Sequence, residues 1–192
     1  MTSPVFTLIA GANGAGKSTL TGGNPETFSP YPLLDPDRFT RPLSPSTTSP
    51  IAAGREVLRL AKDYLEKAES FTIETTLSGR NYLEMMIRAH ILGFEVVLIY
   101  IGTEDVNINL SRIQQRVLSS GHDVPENDVR RRYARSLDHL PVAVQRGDHT
   151  LLFDNSTESA YQLVGVLSPP LVQWFEPLPR WAAALRVVVS RE

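Results

Sequence analysis

Near its start the chain reads VFTLIAGANGAGKSTL, Val5 to Leu20: a largely apolar run that breaks into Gly11, Gly14 and Gly16 and closes on Lys17, Ser18 and Thr19. The string satisfies G-x-x-x-x-G-K-[ST], the phosphate-binding loop, and that motif constrains the fold as well as the chemistry. Its glycines let successive backbone N–H groups point into one concavity, and a helix starting at the rim adds the positive end of its dipole. Such a loop works only between a strand and a helix. Gly11, Ala12, Asn13, Gly14, Ala15, Gly16, Lys17, Ser18 and Thr19 are therefore the expected nucleotide-binding residues. Lys17 is expected at the β and γ phosphates of ATP, and the Ser18 hydroxyl on Mg²⁺.

Four further apolar runs follow: YPLL at 31–34, FTI at 71–73, FEVVLIYI at 94–101 and TLLF at 150–153. They are short, β-branched or aromatic, and mostly uninterrupted by polar residues, as in parallel strands buried on both faces. Helical stripes lie between them. Val57, Leu60, Ala61, Tyr64, Leu65 and Ala68 share one face over 51–69, and Leu83, Met86, Ile87 and Ile91 share another over 81–92. Val106, Leu110, Ile113 and Val117 repeat the pattern over 104–118, as do Val129, Tyr133 and Leu137 over 126–140. The alternation predicts an α/β, three-layer P-loop NTPase fold whose mostly parallel, five-stranded sheet is flanked by helices. Ligands then sit beyond the carboxyl ends of the strands.

At 192 residues, 42% hydrophobic and 21% charged, the chain is expected to form one domain over 1–192. TRPLSPSTTSP at 40–50 reads as an exposed loop, and the extension 168–192 offers only a strand around 171–175 and a short helix near Trp181. The net charge of −2 provides no overall basic field for nucleic acid or an anionic membrane. With no cysteine, disulfides, zinc thiolates and thiol catalysis are excluded, and the four histidines lack metal-ligand spacing, so a metal should have oxygen ligands. The N-terminal run lacks a basic leader and ends in the glycine loop, and no segment approaches a membrane span. A soluble, cytoplasmic protein is expected.

The loop alone suits a transporter ATPase, a motor or a kinase. TLSGR at 76–80 begins like the ABC signature, but VVLIYIGTED passes Gly102 and Thr103 before reaching an acid, and the phosphate loop begins already at residue 11. Both features argue against an ABC domain. Acids at strand ends appear instead in LLDPDRF and FTIETTLSGR, as Asp35, Asp37 and Glu74. A carboxylate placed there binds Mg²⁺ through water or takes the proton from an attacking hydroxyl. Two acidic strand ends fit a kinase, which needs a base and an acceptor pocket, better than a hydrolytic motor. The competing readings are a local turn about Pro36 for Asp35 and Asp37, and a helix-capping acid for Glu74.

Arginines crowd the segment NLSRIQQRVLSSGHDVPENDVRRRYARSL. Arg112 and Arg116 share a helix face, Arg130, Arg131, Arg132 and Arg135 occupy the next helix, and a Ser-Gly hinge separates the two. A helix-loop-helix excursion of this kind, around 111–135, is what an arginine-rich kinase lid looks like, because phosphoryl transfer is helped by cations over the moving group. A solvated basic face is the plain alternative. Nucleic-acid binding finds little support without interleaved aromatic residues.

GANGAGKST, LLDPDRF, AAGREVL, FTIETTLSGR and RVLSSGHDVPENDVRRRYARSL, in that order, resemble the zeta toxin family of P-loop kinases, over residues 5–157 with LFDNS as the last matching element. The resemblance implies ATP- and Mg²⁺-dependent phosphorylation of a small-molecule hydroxyl, UDP-N-acetylglucosamine in the better-studied toxins, and an antitoxin protein as partner. It implies Asp37 as general base, Glu74 on the acceptor together with Thr75 and Arg80 of the same motif, and Arg116 with Arg131 or Arg132 as the lid arginines, Arg132 being preferred. Lys17, Asp37, Arg116 and Arg132 are thus the expected catalytic residues. Ser120 stands where the family commonly has glycine.

Overall fold

The computed structural model describes residues 2–28, 30–36, 50–119, 123–157 and 160–189. At its centre is β1 (Val5–Ala10), paired in parallel with β3 (Phe71–Thr75) on one side and β4 (Glu95–Gly102) on the other. β2 (Leu33–Leu34) extends the sheet beyond β3, and β5 (His149–Asp154) extends it beyond β4, both in parallel. These are the five parallel strands expected from the apolar runs. Two more, β6 (Gln162–Ser168) and β7 (Leu171–Trp174), add an antiparallel hairpin beyond β5, so the order is β2-β3-β1-β4-β5-β6-β7.

The helices are α1 (Lys17–Gly23), α2 (Pro25–Phe28), α3 (Pro50–Lys67), α4 (Asn81–Ile91), α5 (Val106–Leu118), α6 (Glu126–Gln145) and α7 (Arg180–Val189). Alternation along β1 divides the core in two, since successive strand residues face opposite sides. Phe6, Leu8 and Ala10 join Val57, Ala61, Met86, Leu140 and Trp181 in a large cluster. Ile9 joins Ala15, Leu20, Ile99 and Ile101 in a smaller one. Phe6 and Phe71, register partners across β1 and β3, stack with their rings 4.7 Å apart.

Some helix faces differ from expectation. In α4 the buried positions are Leu83, Met85, Met86 and Ala89, whereas Ile87 and Ile91 are exposed. In α5 Val117 is exposed, and Ala68 lies past the end of α3 with a φ of 53°. Apolar spacing identifies a stripe, but only the sheet's extent decides how many of its turns are covered. Among the described residues no helix is long and apolar enough to cross a membrane.

The register also assembles the site. Ile9 pairs with Glu74, Ala10 with both Thr75 and Tyr100, and Gly102 with Asp154. Gly11, Glu74, Thr103 and Asp154 therefore meet at one edge of the sheet, the carboxyl edge where α/β folds bind ligands.

Candidate active site

Residues 11–16 join β1 to α1, as the motif requires. Four side chains or ends of side chains hold the carbonyl oxygens of this loop. Lys17 Nζ donates to Ala12 O at 3.2 Å, Asn109 Nδ2 to Asn13 O at 2.7 Å, Asn155 Nδ2 to Ala15 O at 2.8 Å and Tyr161 OH to Gly16 O at 2.8 Å. With the carbonyls held from outside, the loop's N–H groups are left to face an anion. Gly14 and Gly16 make these anchors geometrically feasible. Both have positive φ, 77° and 102°. A Cβ on Gly14 would stand 2.6 Å from the Asn109 carbonyl oxygen, and one on Gly16 would stand 2.7 Å from the Tyr161 hydroxyl.

Lys17 is buried beneath the loop. Ser18 follows at the start of α1, and its hydroxyl donates to Glu74 Oε1 at 2.7 Å. Glu74 is itself buried, near the end of β3. The hydroxyl proton is thus directed at the carboxylate, which leaves the serine lone pairs for a cation. Two oxygen donors this close to the phosphate loop suit Mg²⁺, a hard ion held by one or two protein oxygens with the rest from phosphate and water. Among the described residues no group of three or more histidine, cysteine or acidic side chains is arranged to hold a metal.

A cleft of about 1060 Å³ opens over the loop, walled by α5 on one side and by Asn155, Ser156, Thr157, Ala160 and Tyr161 on the other. Arg116 and Arg112 both line it. Arg112, however, is engaged by the opposite wall, donating to Asn155 O at 2.7 Å and Thr157 O at 3.1 Å. It therefore braces the cleft. Tyr161 closes the near end, and burial pushes its phenol pKa up, with the Thr19 hydrogen bond and the Arg112 charge acting the other way. The hydroxyl stays a neutral donor to Gly16.

The arginines of α6 separate into distinct roles. Arg132 donates to Asn13 Oδ1 at 3.2 Å, at the tip of the phosphate loop. Arg131 pairs with Asp128 at 2.7 Å and Arg130 with Glu126 at 2.7 Å, both on the exposed face of their own helix. Between the two lid candidates, Arg132 is the one at the loop. Arg135 is exposed.

The remaining expected residues lie further from the cleft or outside the described residues. Thr75 is buried, and its hydroxyl accepts from the Leu77 N–H at 3.1 Å. Arg80 is exposed at the start of α4. Asp35 is buried just past β2, at the same sheet edge as Glu74. Asp37, the expected base, lies outside the described residues, as do Ser120, Gly121 and His122 of the expected lid hinge.

Asn109, Asn155 and Tyr161 are the site residues that motif reasoning missed. Asn109 left a signal in the sequence: it is a polar residue on the inward stripe of α5, and it is wholly buried with its Oδ1 accepting from Thr103. Asn155 stands within LFDNS, directly after β5. Nothing local distinguishes Tyr161.

No family model matches the sequence. An uncharacterized protein of Haemophilus influenzae is 38% identical over 128 residues, which cover 66% of this chain and 90% of that protein. Among solved structures, a chain of the AvrRxo1-ORF1:AvrRxo1-ORF2 complex superposes with a TM-score of 0.69 at 15% identity, covering 97% of this chain and 63% of its own length. The PezAT chromosomal toxin-antitoxin system of Streptococcus pneumoniae matches with a TM-score of 0.64 at 15% identity, over 100% of this chain and 88% of that one. A candidate kinase from Chloroflexus aurantiacus matches with a TM-score of 0.58 at 18% identity, over the full length of both. The chain therefore belongs to one family with its Haemophilus influenzae relative, and that family is built on the zeta-toxin-like P-loop kinase fold.

Proposed function

We propose that the protein is a kinase that transfers the γ-phosphoryl group of ATP to a hydroxyl of a small molecule. The observation that carries this reading is the Ser18–Glu74 pair, 2.7 Å apart beside the buried Lys17, on a phosphate loop whose Asn13 side chain is held by Arg132. A phosphate loop, a hard-cation site and a cationic side chain over the loop are the parts that phosphoryl transfer requires.

In this mechanism the loop amides and Lys17 hold the β and γ phosphates. Arg132 and Arg116 neutralise charge on the phosphoryl group as it moves, and Asp37 accepts the proton of the attacking hydroxyl. Mg²⁺, held by Ser18 with Glu74 beside it, would neutralise phosphate charge and orient the donor. Thr75, the last residue of β3, and Arg80, at the start of α4, belong to the acceptor side. A sugar nucleotide such as UDP-N-acetylglucosamine is the acceptor implied by the motif resemblance, and the toxin-antitoxin context of the Streptococcus pneumoniae neighbour supports an antitoxin-like protein partner. A cytoplasmic location follows from these substrates. The paired arginines of α6 disfavour a nucleic-acid kinase, because Arg130 and Arg131 are already balanced by acids of their own helix.

The test is transfer from labelled ATP to a panel of nucleotide sugars and nucleosides. Lys17→Ala is expected to abolish nucleotide turnover. Asp37→Asn is expected to retain ATP binding and lose transfer; an Asp37→Asn protein that phosphorylates the acceptor at the wild-type rate removes Asp37 as the base.

A further inference from the structure

The C-terminal extension contributes no residue to the phosphate loop, yet buried contacts run continuously from one to the other. Trp181, in the first turn of α7, is buried and lies over the end of β4. Its ring fills the space that a side chain on Gly102 would need, with Cζ2 2.6 Å from where a Cβ would stand, and its centre is 5.5 Å from the Tyr100 ring. The indole Nε1–H donates to Asp154 Oδ1 at 2.9 Å.

Asp154 is a buried carboxylate at the end of β5, and it also accepts from the Ser156 N–H at 3.1 Å and the Ser156 hydroxyl at 2.8 Å. These bonds shape the turn that carries Asn155. From that turn the Asn155 amide holds Ala15 O, its backbone N–H donates to Gly102 O at 2.9 Å, and its carbonyl accepts from Arg112. A second strand of contacts runs in parallel: the Arg180 N–H donates to Glu104 Oε2, and the Glu104 N–H donates to Ser156 Oγ, both at 2.8 Å.

A buried carboxylate that loses a donor is left undersolvated, and it recovers only by shifting toward others. Here the remaining donors belong to Ser156, so such a shift would move the turn that positions Ala15 and braces the cleft wall. We propose that Trp181 is a positioning residue for nucleotide binding, acting through Asp154 and Asn155, and that the C-terminal helix is a strut of the phosphate loop. This rests on the reading of the cleft as a nucleotide site.

Trp181→Phe keeps a ring over Gly102 and deletes only the Nε1–H donor. Calorimetry of ATP with Mg²⁺, well below the thermal midpoint, should give a Kd raised about five-fold, as expected for one lost hydrogen bond to a charged group transmitted in part. Combined with Asn155→Ala, the same change should add less than about two-fold, because the two act in series. Without any nucleotide, amide exchange in residues 11–19 and 154–157 should accelerate in Trp181→Phe, and Asp154→Asn should reproduce the pattern should the first variant fold poorly. The inference is overturned if exchange in 11–19 is unchanged while only 175–189 accelerates, or if the two substitutions add in full. A wild-type protein that binds no ATP rejects the nucleotide reading instead, and the exchange comparison still decides the coupling.

Discussion

Glu74 is the residue whose expected role and observed position differ most, and Glu74→Gln separates the two. The motif resemblance implies a role for Glu74 on the acceptor; its hydrogen bond to Ser18 sets it beside the proposed cation site. Glutamine keeps the size and keeps an oxygen for the Ser18 hydroxyl, so the substitution removes charge and little else. A cation at the usual Mg²⁺–oxygen distance of about 2.1 Å from Ser18 Oγ would lie within about 4.8 Å of Glu74 Oε1, because the two oxygens are 2.7 Å apart. At that separation a divalent and a unit charge attract by about 1.7 kcal/mol even with the screening of bulk water, and by more in the buried surroundings of Glu74. The Mg²⁺ concentration that half-saturates ATP binding should therefore rise by at least roughly twenty-fold in Glu74→Gln. Titration of ATP affinity against Mg²⁺ measures this with no acceptor present. A midpoint unchanged from wild type, together with an acceptor KM that rises, would refute the cation-side placement and restore the acceptor role.

Three further outcomes are expected. Asn109→Ala leaves a partly buried carbonyl at Asn13 and a buried hydroxyl at Thr103 without this partner, which should cost about 2 kcal/mol and lower the thermal midpoint by roughly 4–8 °C; a shift of about one degree would contradict the anchoring role. Tyr161→Phe removes the donor to Gly16 O without changing ring volume, so ATP affinity should fall about five-fold with the fold intact, as read by calorimetry beside circular dichroism. Burial pushes the Tyr100 phenol well above the ordinary tyrosine range. The unfolded chain thus releases that proton first, and stability present below about pH 10 is lost as pH climbs toward the folded value. Urea unfolding at rising pH should show a shallower loss in Tyr100→Phe than in wild type.

The resemblance to a kinase family, the parallel strands and the donor loop were all legible along the chain because each depends on near neighbours. The loop needs Gly14, Gly16 and Lys17 within a few residues, and a doubly buried strand such as FEVVLIYI carries its own signature. The antiparallel β6 was harder to read. Its sequence, QLVGVLS, is a short apolar run interrupted by Gly165 with no turn signature to set its direction, and its register shifts where it meets Leu152 and Phe153. The faces of α4 and α5 differ from the periodic pattern for a related reason: Ile87, Ile91 and Val117 satisfy the helical period, yet are exposed among the described residues. Arg112 was legible as a cation near the phosphates, but its two backbone partners lie 43 and 45 residues away, and they turn it into a brace.

Sequence alone marked a phosphate-binding loop at a strand-to-helix turn, because that motif is local and Gly11 to Thr19 contain all of it. Tertiary structure decided which distant groups complete it. Glu74 reaches Ser18 only because β3 lies in register beside β1, Asn109 and Asn155 hold the loop from two separate connections, and Trp181 closes behind Asp154 from the far end of the chain. Contacts across 27 to 140 residues have no periodicity to betray them. They arise only when the sheet brings its carboxyl ends to one edge.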